Sequence, residues 1–238
     1  MSLDEHCILV TGAAGNLGAA AAHELAGRGA KIILVDRSAE ALETIRKSLP
    51  HPERHFVCAG LDLTKADDAA KAAAAALDRA GRIDALVNTV GAFRMGRVAE
   101  DAQRDWDFLM NVNARSVLTT SAAVLPAMLA RKAGRILHVA AGAGLKGEAG
   151  LAVYSASKAA VLRIVESLAE EHRKDGVTAN CIMPGTIDTP QNRAAMPGAD
   201  TSSWVPPAAI ARVIAFLVSD GAATITGAAI PVTVRPKY

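Results

Sequence analysis

The chain has 238 residues, with 26 Lys and Arg set against 24 Asp and Glu, a formal charge of +2 and 51% hydrophobic content. A near-neutral balance with no basic block argues against a nucleic-acid or membrane-surface binder and leaves a small molecule as the expected partner. The length and apolar content suit one domain over residues 1–238, large enough to bury a sizeable core.

From the N-terminus, residues 1–7 run straight into Ile8-Leu9-Val10 without a charged leader, a long apolar stretch or a cleavage site. No signal peptide or membrane span is expected, and the cytoplasm is the expected compartment. Short apolar runs at 6–11, 31–36, 55–61, 83–88, 134–140, 177–183 and 228–234 predict strands. Amphipathic stretches at 16–28, 39–49, 66–80, 101–132, 153–174 and 207–219 predict the helices between them. That alternation implies a parallel sheet, and the near-continuous hydrophobicity of Ile32-Ile33-Leu34-Val35 implies strands covered on both faces. The expected fold class is therefore α/β, a doubly wound seven-stranded parallel sheet with helices on both faces. Residues 184–206 stand apart, with four prolines and Trp204 in one irregular segment, and a loop of that length inside a domain is usually functional. Cys7, Cys58 and Cys181 are odd in number and set in apolar runs, which reads as reduced packing rather than disulfides or a metal site. Tyr238, the second of two tyrosines, is expected either at a subunit contact or without order.

Directly after the first strand comes Gly12-Ala13-Ala14-Gly15-Asn16-Leu17-Gly18. Glycines there let the backbone approach a pyrophosphate while the next helix presents its unpaired N–H groups, the arrangement of a Rossmann-type dinucleotide site. The second strand ends on Asp36, where a carboxylate accepts from the adenosine ribose and repels a 2′-phosphate, so NAD(H) is favoured. Arg37 beside it can pair with a 2′-phosphate or stack on adenine, which keeps NADP(H) open. Further along, Tyr154 and Lys158 stand four apart, a spacing that puts both on one helix face. A cation beside a phenol favours the phenolate and makes Tyr154 a candidate proton donor or acceptor, though the spacing alone also fits an ordinary exposed pair.

In their order these motifs resemble the short-chain dehydrogenase/reductase family over essentially the whole length. The resemblance extends to Asp62-Leu63 as the adenine contact, to Asn88-Thr89-Val90-Gly91 as the family's Asn-Asn-Ala-Gly strand end, and to Pro184-Gly185-Thr186-Ile187-Asp188-Thr189 as the segment that holds the carboxamide. It implies an NAD(P)-dependent oxidoreductase with Tyr154, Lys158 and Asn113 as catalytic residues, Asn113 ordering a water in a proton relay through Lys158. It also implies a homodimer or homotetramer formed through the helices at 101–132 and 153–174.

Two departures qualify the resemblance. Gly12, Gly15 and Gly18 follow the spacing of extended or divergent members, and the position of the family's catalytic serine, 13 residues before Tyr154, is Ala141. No Ser or Thr hydroxyl occurs from Arg135 to Val153. Removing an oxyanion-type donor costs about 10²–10³ in rate, so an acceptor that needs little carbonyl polarisation is expected. The segment from Asp188 through Arg193, Met196-Pro197-Gly198 and Ser202-Ser203-Trp204 resembles quinonoid dihydropteridine reductases, which also lack the serine. A carbonyl or 3-oxoacyl reductase and a non-catalytic dinucleotide sensor are the alternatives. Trp106 is expected to pack or to sit at a subunit interface, Trp204 to pack or to face substrate, and Arg193 to be solvated or to contact substrate; His138 is expected to be structural.

Overall fold

A computed structural model of the chain describes residues 2–234, so Tyr238 lies outside the described residues. Seven parallel strands, β1 (Cys7–Thr11), β2 (Lys31–Asp36), β3 (Phe56–Ala59), β4 (Ala85–Asn88), β5 (Gly134–Val139), β6 (Val177–Pro184) and β7 (Ala229–Val232), form one sheet in the order β3-β2-β1-β4-β5-β6-β7. Side chains alternate between faces, so successive residues of β1 feed two cores: Ile8 and Val10 into one, Cys7 and Leu9 into the other. The first core is covered by α1 (Asn16–Gly27), α2 (Ala39–Ser48) and α8 (Pro207–Leu217). The second is covered by α3 (Ala66–Ala80), α5 (Ser116–Arg131) and α6 (Ala152–His172). Burial of each Val, Leu or Ile contributes about 1.5–3 kcal/mol, which is why runs with no polar alternation settle in the middle of a two-faced sheet.

Most elements end within a residue or two of the expected limits, and the differences have local causes. β3 stops at Ala59 because Gly60 turns the chain at φ +76°, while His55, just before the strand, uses its ring to accept from Ile32 N at 3.1 Å. β4 starts two residues late; just before it the Asp84 main chain still bonds to Cys7 O and Arg135 N, while its side chain pairs with Arg82 and Arg131 and accepts from Cys7 N. α3 is stopped by Gly81 in the left-handed region, and its Ala69, Ala72, Ala73 and Ala76 form the buried face expected of a strong helix former.

Two expectations need correction. The stretch 101–132 is not one regular helix: α4 (Ala102–Leu109) and α5 are joined by a π-helical turn, Met110–Arg115, which inserts one extra residue. The segment 184–206 is not structureless either. It holds α7 (Pro190–Ala195) and a 3₁₀ turn, Thr201–Ser203, and is closed at its base by a parallel bridge between Ile187 and Val205. No helix among the described residues is long and apolar enough to cross a membrane.

Candidate active site

Strand order reverses between β1 and β4, and a crevice opens there at the C-terminal ends of the strands, with a cavity of about 460 Å³. That is the place where open α/β sheets take ligands. Gly12, Gly15, Asp36, Arg37, Asp62, Leu63 and Gly91 all line it. Gly12 sits at φ +70°, and a Cβ there would stand 2.7 Å from Thr89 Oγ1 and 2.9 Å from Val90 N. Gly18, one turn into α1, allows no side chain because its Cβ would come within 2.2 Å of Gly12 O. The turn is therefore a bare-backbone cradle, and Gly15 ends it as an α1 N-cap with no side-chain hydrogen bond. The first N–H groups of α1, those of Asn16, Leu17 and Gly18, lack i−4 partners by helix geometry and suit a diphosphate.

The acidic groups are held by main-chain donors. Asp36 accepts from Ala14 N at 3.1 Å through Oδ2 and from Arg37 N at 2.7 Å through Oδ1, so its carboxylate is oriented at the rim of the glycine turn. Asp62 accepts from Thr64 Oγ1 at 2.8 Å and Thr64 N at 3.1 Å, and these bonds hold its carboxyl below the usual range. Asn88 is different from its neighbours: it is buried, and its side chain turns beneath the cleft to Thr11, Val90 and His138.

The second half of the site is built on α6. Lys158 is buried, and its Nζ donates to Val139 O at 2.9 Å. Tyr154, one turn earlier and half-buried, has its ring 6.0 Å from that nitrogen and meets the Phe93 ring edge to face at 4.9 Å. The expected depression of the phenol pKa is corrected here: burial pushes Tyr154 up to about 12 and pulls Lys158 down to about 8. Desolvation opposes both charged forms, and the ammonium is spent on a carbonyl rather than on the phenol oxygen. Tyr154 is thus a protonated donor at neutral pH.

Asn113 sits inside the π turn and is buried. Its Oδ1 accepts from Ala92 N at 2.8 Å, and its Nδ2 donates to Ala92 O at 3.0 Å and Ser157 Oγ at 2.9 Å. Ser157 Oγ donates in turn to Tyr154 O at 2.7 Å. Gly91 joins the halves, since a Cβ on it would lie 3.1 Å from Asn113 Oδ1 and 3.4 Å from Lys158 Nζ. Ala141, partly exposed, precedes the 3₁₀ turn Gly142–Gly144, which packs so closely on α6 that a Cβ on Gly144 would meet the Lys158 carbonyl carbon at 2.8 Å.

No residue of the segment 184–206 lines that cavity; the segment reaches the site through the head of α1. Pro184 ends β6, Gly185 N donates to Val232 O, and the Ile187 carbonyl accepts from Asn192 Nδ2 at 2.8 Å. Thr189 caps α7 by accepting from Asn192 N at 3.2 Å. Gln191 on α7 accepts from Asn16 Nδ2 at 2.8 Å and so ties this segment to the head of α1. Arg193 is solvent-exposed, as one of its two expectations had it, and makes a two-pronged pair with Asp188. Trp204 is 5% exposed and packs, whereas Trp106 is 48% exposed on α4. Sequence reasoning passed over Thr89, Ser157 and Phe93. Thr89 Oγ1 donates to Thr11 O at 2.8 Å and Gly12 O at 3.2 Å, which anchors the glycine turn, and no local pattern marks such a cross-strand bond.

Comparison with known proteins bears on the family and the fold. A model of the short chain dehydrogenase family matches residues 6–199. Dehydrogenase/reductase SDR family member 6 of Aquarana catesbeiana is 35% identical over 240 aligned residues, covering 94% of each chain. The crystal structure of a single-substitution variant of actinorhodin polyketide ketoreductase with NADPH superposes with a TM-score of 0.90 at 28% identity, covering 98% of each chain. That of NAD+-bound xylitol dehydrogenase gives a TM-score of 0.90 at 25% identity, covering 98% of this chain and 100% of the other.

Proposed function

The chain belongs to the short-chain dehydrogenase/reductase family of NAD(P)-dependent oxidoreductases, and from that premise we propose that it is a reductase in which Tyr154 protonates an acceptor that needs little carbonyl polarisation. The observation that carries this reading is Ala141 at the position where a polarising hydroxyl would stand, with no Ser or Thr from Arg135 to Val153, which leaves Tyr154 as the proton donor. The glycine cradle and the α1 N-terminus fit the diphosphate of a nicotinamide dinucleotide, and Asp36 and Asp62 fit its adenosine, whereas Gly185, Ile187 and Thr189, outside that cavity, are proposed for its carboxamide end on the family resemblance of their segment. When bound, that cofactor supplies the hydride. Tyr154 Oη gives its proton to the acceptor atom that gains the electron pair, Lys158 holds the ribose, and Asn113, pinned to Ala92, feeds the relay that returns the proton to Tyr154.

NADH is the proposed partner because Asp36, at the end of β2, lines the cavity and would accept from an adenosine ribose, whereas Arg37 is the feature that would accommodate NADPH. The proposed acceptor is a quinonoid dihydropterin-like molecule, supported by Ala141 and by the sequence of residues 188–204. Such an acceptor is already electron-poor and asks for protonation first. The second reading is a ketone or 3-oxoacyl reductase in which a backbone N–H or a water replaces the serine, and the likeness to a ketoreductase favours it. A sensor without catalysis needs no Tyr154, Lys158 and Asn113 together. The domain is proposed to span residues 1–238 with 184–206 as its substrate segment, and to self-associate as a homodimer or homotetramer through α4 to α6, where Trp106 and Leu118 are exposed.

The test is NADH- and NADPH-dependent turnover of a quinonoid pterin and a ketone panel by wild type, Tyr154→Phe and Ala141→Ser. Pterin reduction with NADH, lowered about 10²–10⁴-fold by Tyr154→Phe, is expected. Ketone reduction gained only with Ala141→Ser also supports the activated-acceptor reading. Full turnover by Tyr154→Phe on every accepted substrate would sink it.

A further inference from the structure

His138 is the one fully buried histidine among the described residues, at 0% exposure on β5, and the proton relay makes no use of it. Its ring stands between Asn88 Nδ2, 3.2 Å from Nδ1, and Ser121 Oγ, 2.9 Å from Nε2. The Val90 N–H, a donor that cannot turn round, points at the Asn88 side chain at 3.2 Å and therefore meets its Oδ1. Thr11 Oγ1 donates to that same oxygen at 2.6 Å. The Asn88 amide is thereby set with its Nδ2 towards His138, so Nδ1 is the accepting nitrogen and Nε2 carries the proton and donates to Ser121. Burial, with Lys158 adding to it, pulls the imidazole down to about 3 and keeps it neutral, which this arrangement needs.

Asn88 lies under both halves of the cleft. Through Thr11 it holds the strand that leads into Gly12, and through Val90 it holds the strand end that leads to Gly91, beside Asn113 and Lys158. We propose that His138 is a positioning residue for dinucleotide binding, fixing the Asn88 amide so that the glycine turn and the Val90-Gly91 floor are preformed. Without the ring acceptor, Nδ2 is a buried donor with no partner, and the amide orientation that serves Val90 N and Thr11 loses one of the three contacts that fix it. The cofactor then binds only the fraction of molecules whose floor is set, and its apparent affinity falls by that fraction. This rests on the reading of the cleft as the dinucleotide site.

The experiment is NADH titration, with steady-state turnover at saturating NADH, for wild type, His138→Leu and His138→Gln, each at a temperature where its unfolding curve shows it folded. Gln can accept from Asn88 and donate to Ser121; Leu can do neither. The expected result is a Kd about tenfold higher for His138→Leu, kcat within about twofold, and a His138→Gln Kd within about threefold of wild type. An unchanged Kd in His138→Leu, or an equal loss in His138→Gln, would overturn the proposal. Wild type that binds no dinucleotide would instead overturn the cleft assignment. If His138→Leu does not fold, wild-type imidazole ¹⁵N shifts decide: an Nε2-protonated neutral ring supports the proposal, and an Nδ1-protonated ring refutes it.

Discussion

Tyr154, Lys158 and His138 are governed by desolvation more than by neighbouring charge. Tyr154 and Lys158 are both driven away from their charged forms by burial, to about 12 and about 8, although they stand four residues apart on one helix. His138 follows the same rule, and its effect on stability has a definite sign. Its pKa falls from 6.5 to about 3, so between those values the unfolded chain binds the extra proton and stability falls as pH is lowered. Urea unfolding should show wild type losing up to about 1.4 kcal/mol per pH unit from this group between about pH 6 and 4. His55, also lowered by burial, adds in the same direction, so the measurement is the difference from His138→Gln, which should show the shallower slope. Equal slopes would mean that His138 titrates normally in the folded protein. The identities of Tyr154, Lys158 and Asp36 were legible from motif and spacing, because each sits at a fixed offset from a strand or helix end. The direction of the Tyr154 shift was not, since burial depends on chain segments remote in sequence.

At the scale of elements, the glycine turn and the strands follow from local chemistry, while the helical run at 102–131 does not. Its apolar periodicity reads as one helix, but the π turn Met110–Arg115 rotates α5 relative to α4 and brings Asn113 into reach of Ala92 and Ser157. Bonding to a distant strand end and to α6 offsets the poorer hydrogen-bond geometry of a π turn, and no window along the sequence contains those partners. Asn113→Ala leaves Ala92 N, Ala92 O and Ser157 Oγ short of a partner. It should lower unfolding free energy by about 2 kcal/mol in urea titration and reduce turnover as well. Wild-type stability in Asn113→Ala would show that the π turn is held by other contacts. The segment 184–206 is a similar case: its prolines announced irregularity, but the Ile187–Val205 bridge and the Asn16–Gln191 contact join residues far apart in the chain.

For the whole molecule, the exposed Trp106, Phe108 and Leu118 on α4 and α5 are more apolar surface than solvent-facing helices usually carry together. Size-exclusion chromatography with light scattering should give a dimer or tetramer for wild type and a smaller species for Leu118→Glu, and an unchanged mass would place the interface elsewhere. Seven apolar runs separated by amphipathic stretches were enough to specify a two-faced parallel sheet, because burying such runs has few other solutions. The sequence by itself thus determined the fold class, the family and the presence of a glycine cradle, all of which rest on spacing along the chain. Only the tertiary structure decided that Asn88 turns under the cleft to His138, that Asn113 is fixed by a π turn, and that Arg193 is tied to Asp188. Those outcomes depend on hydrogen-bond partners and desolvation supplied by segments that meet only when the sheet closes.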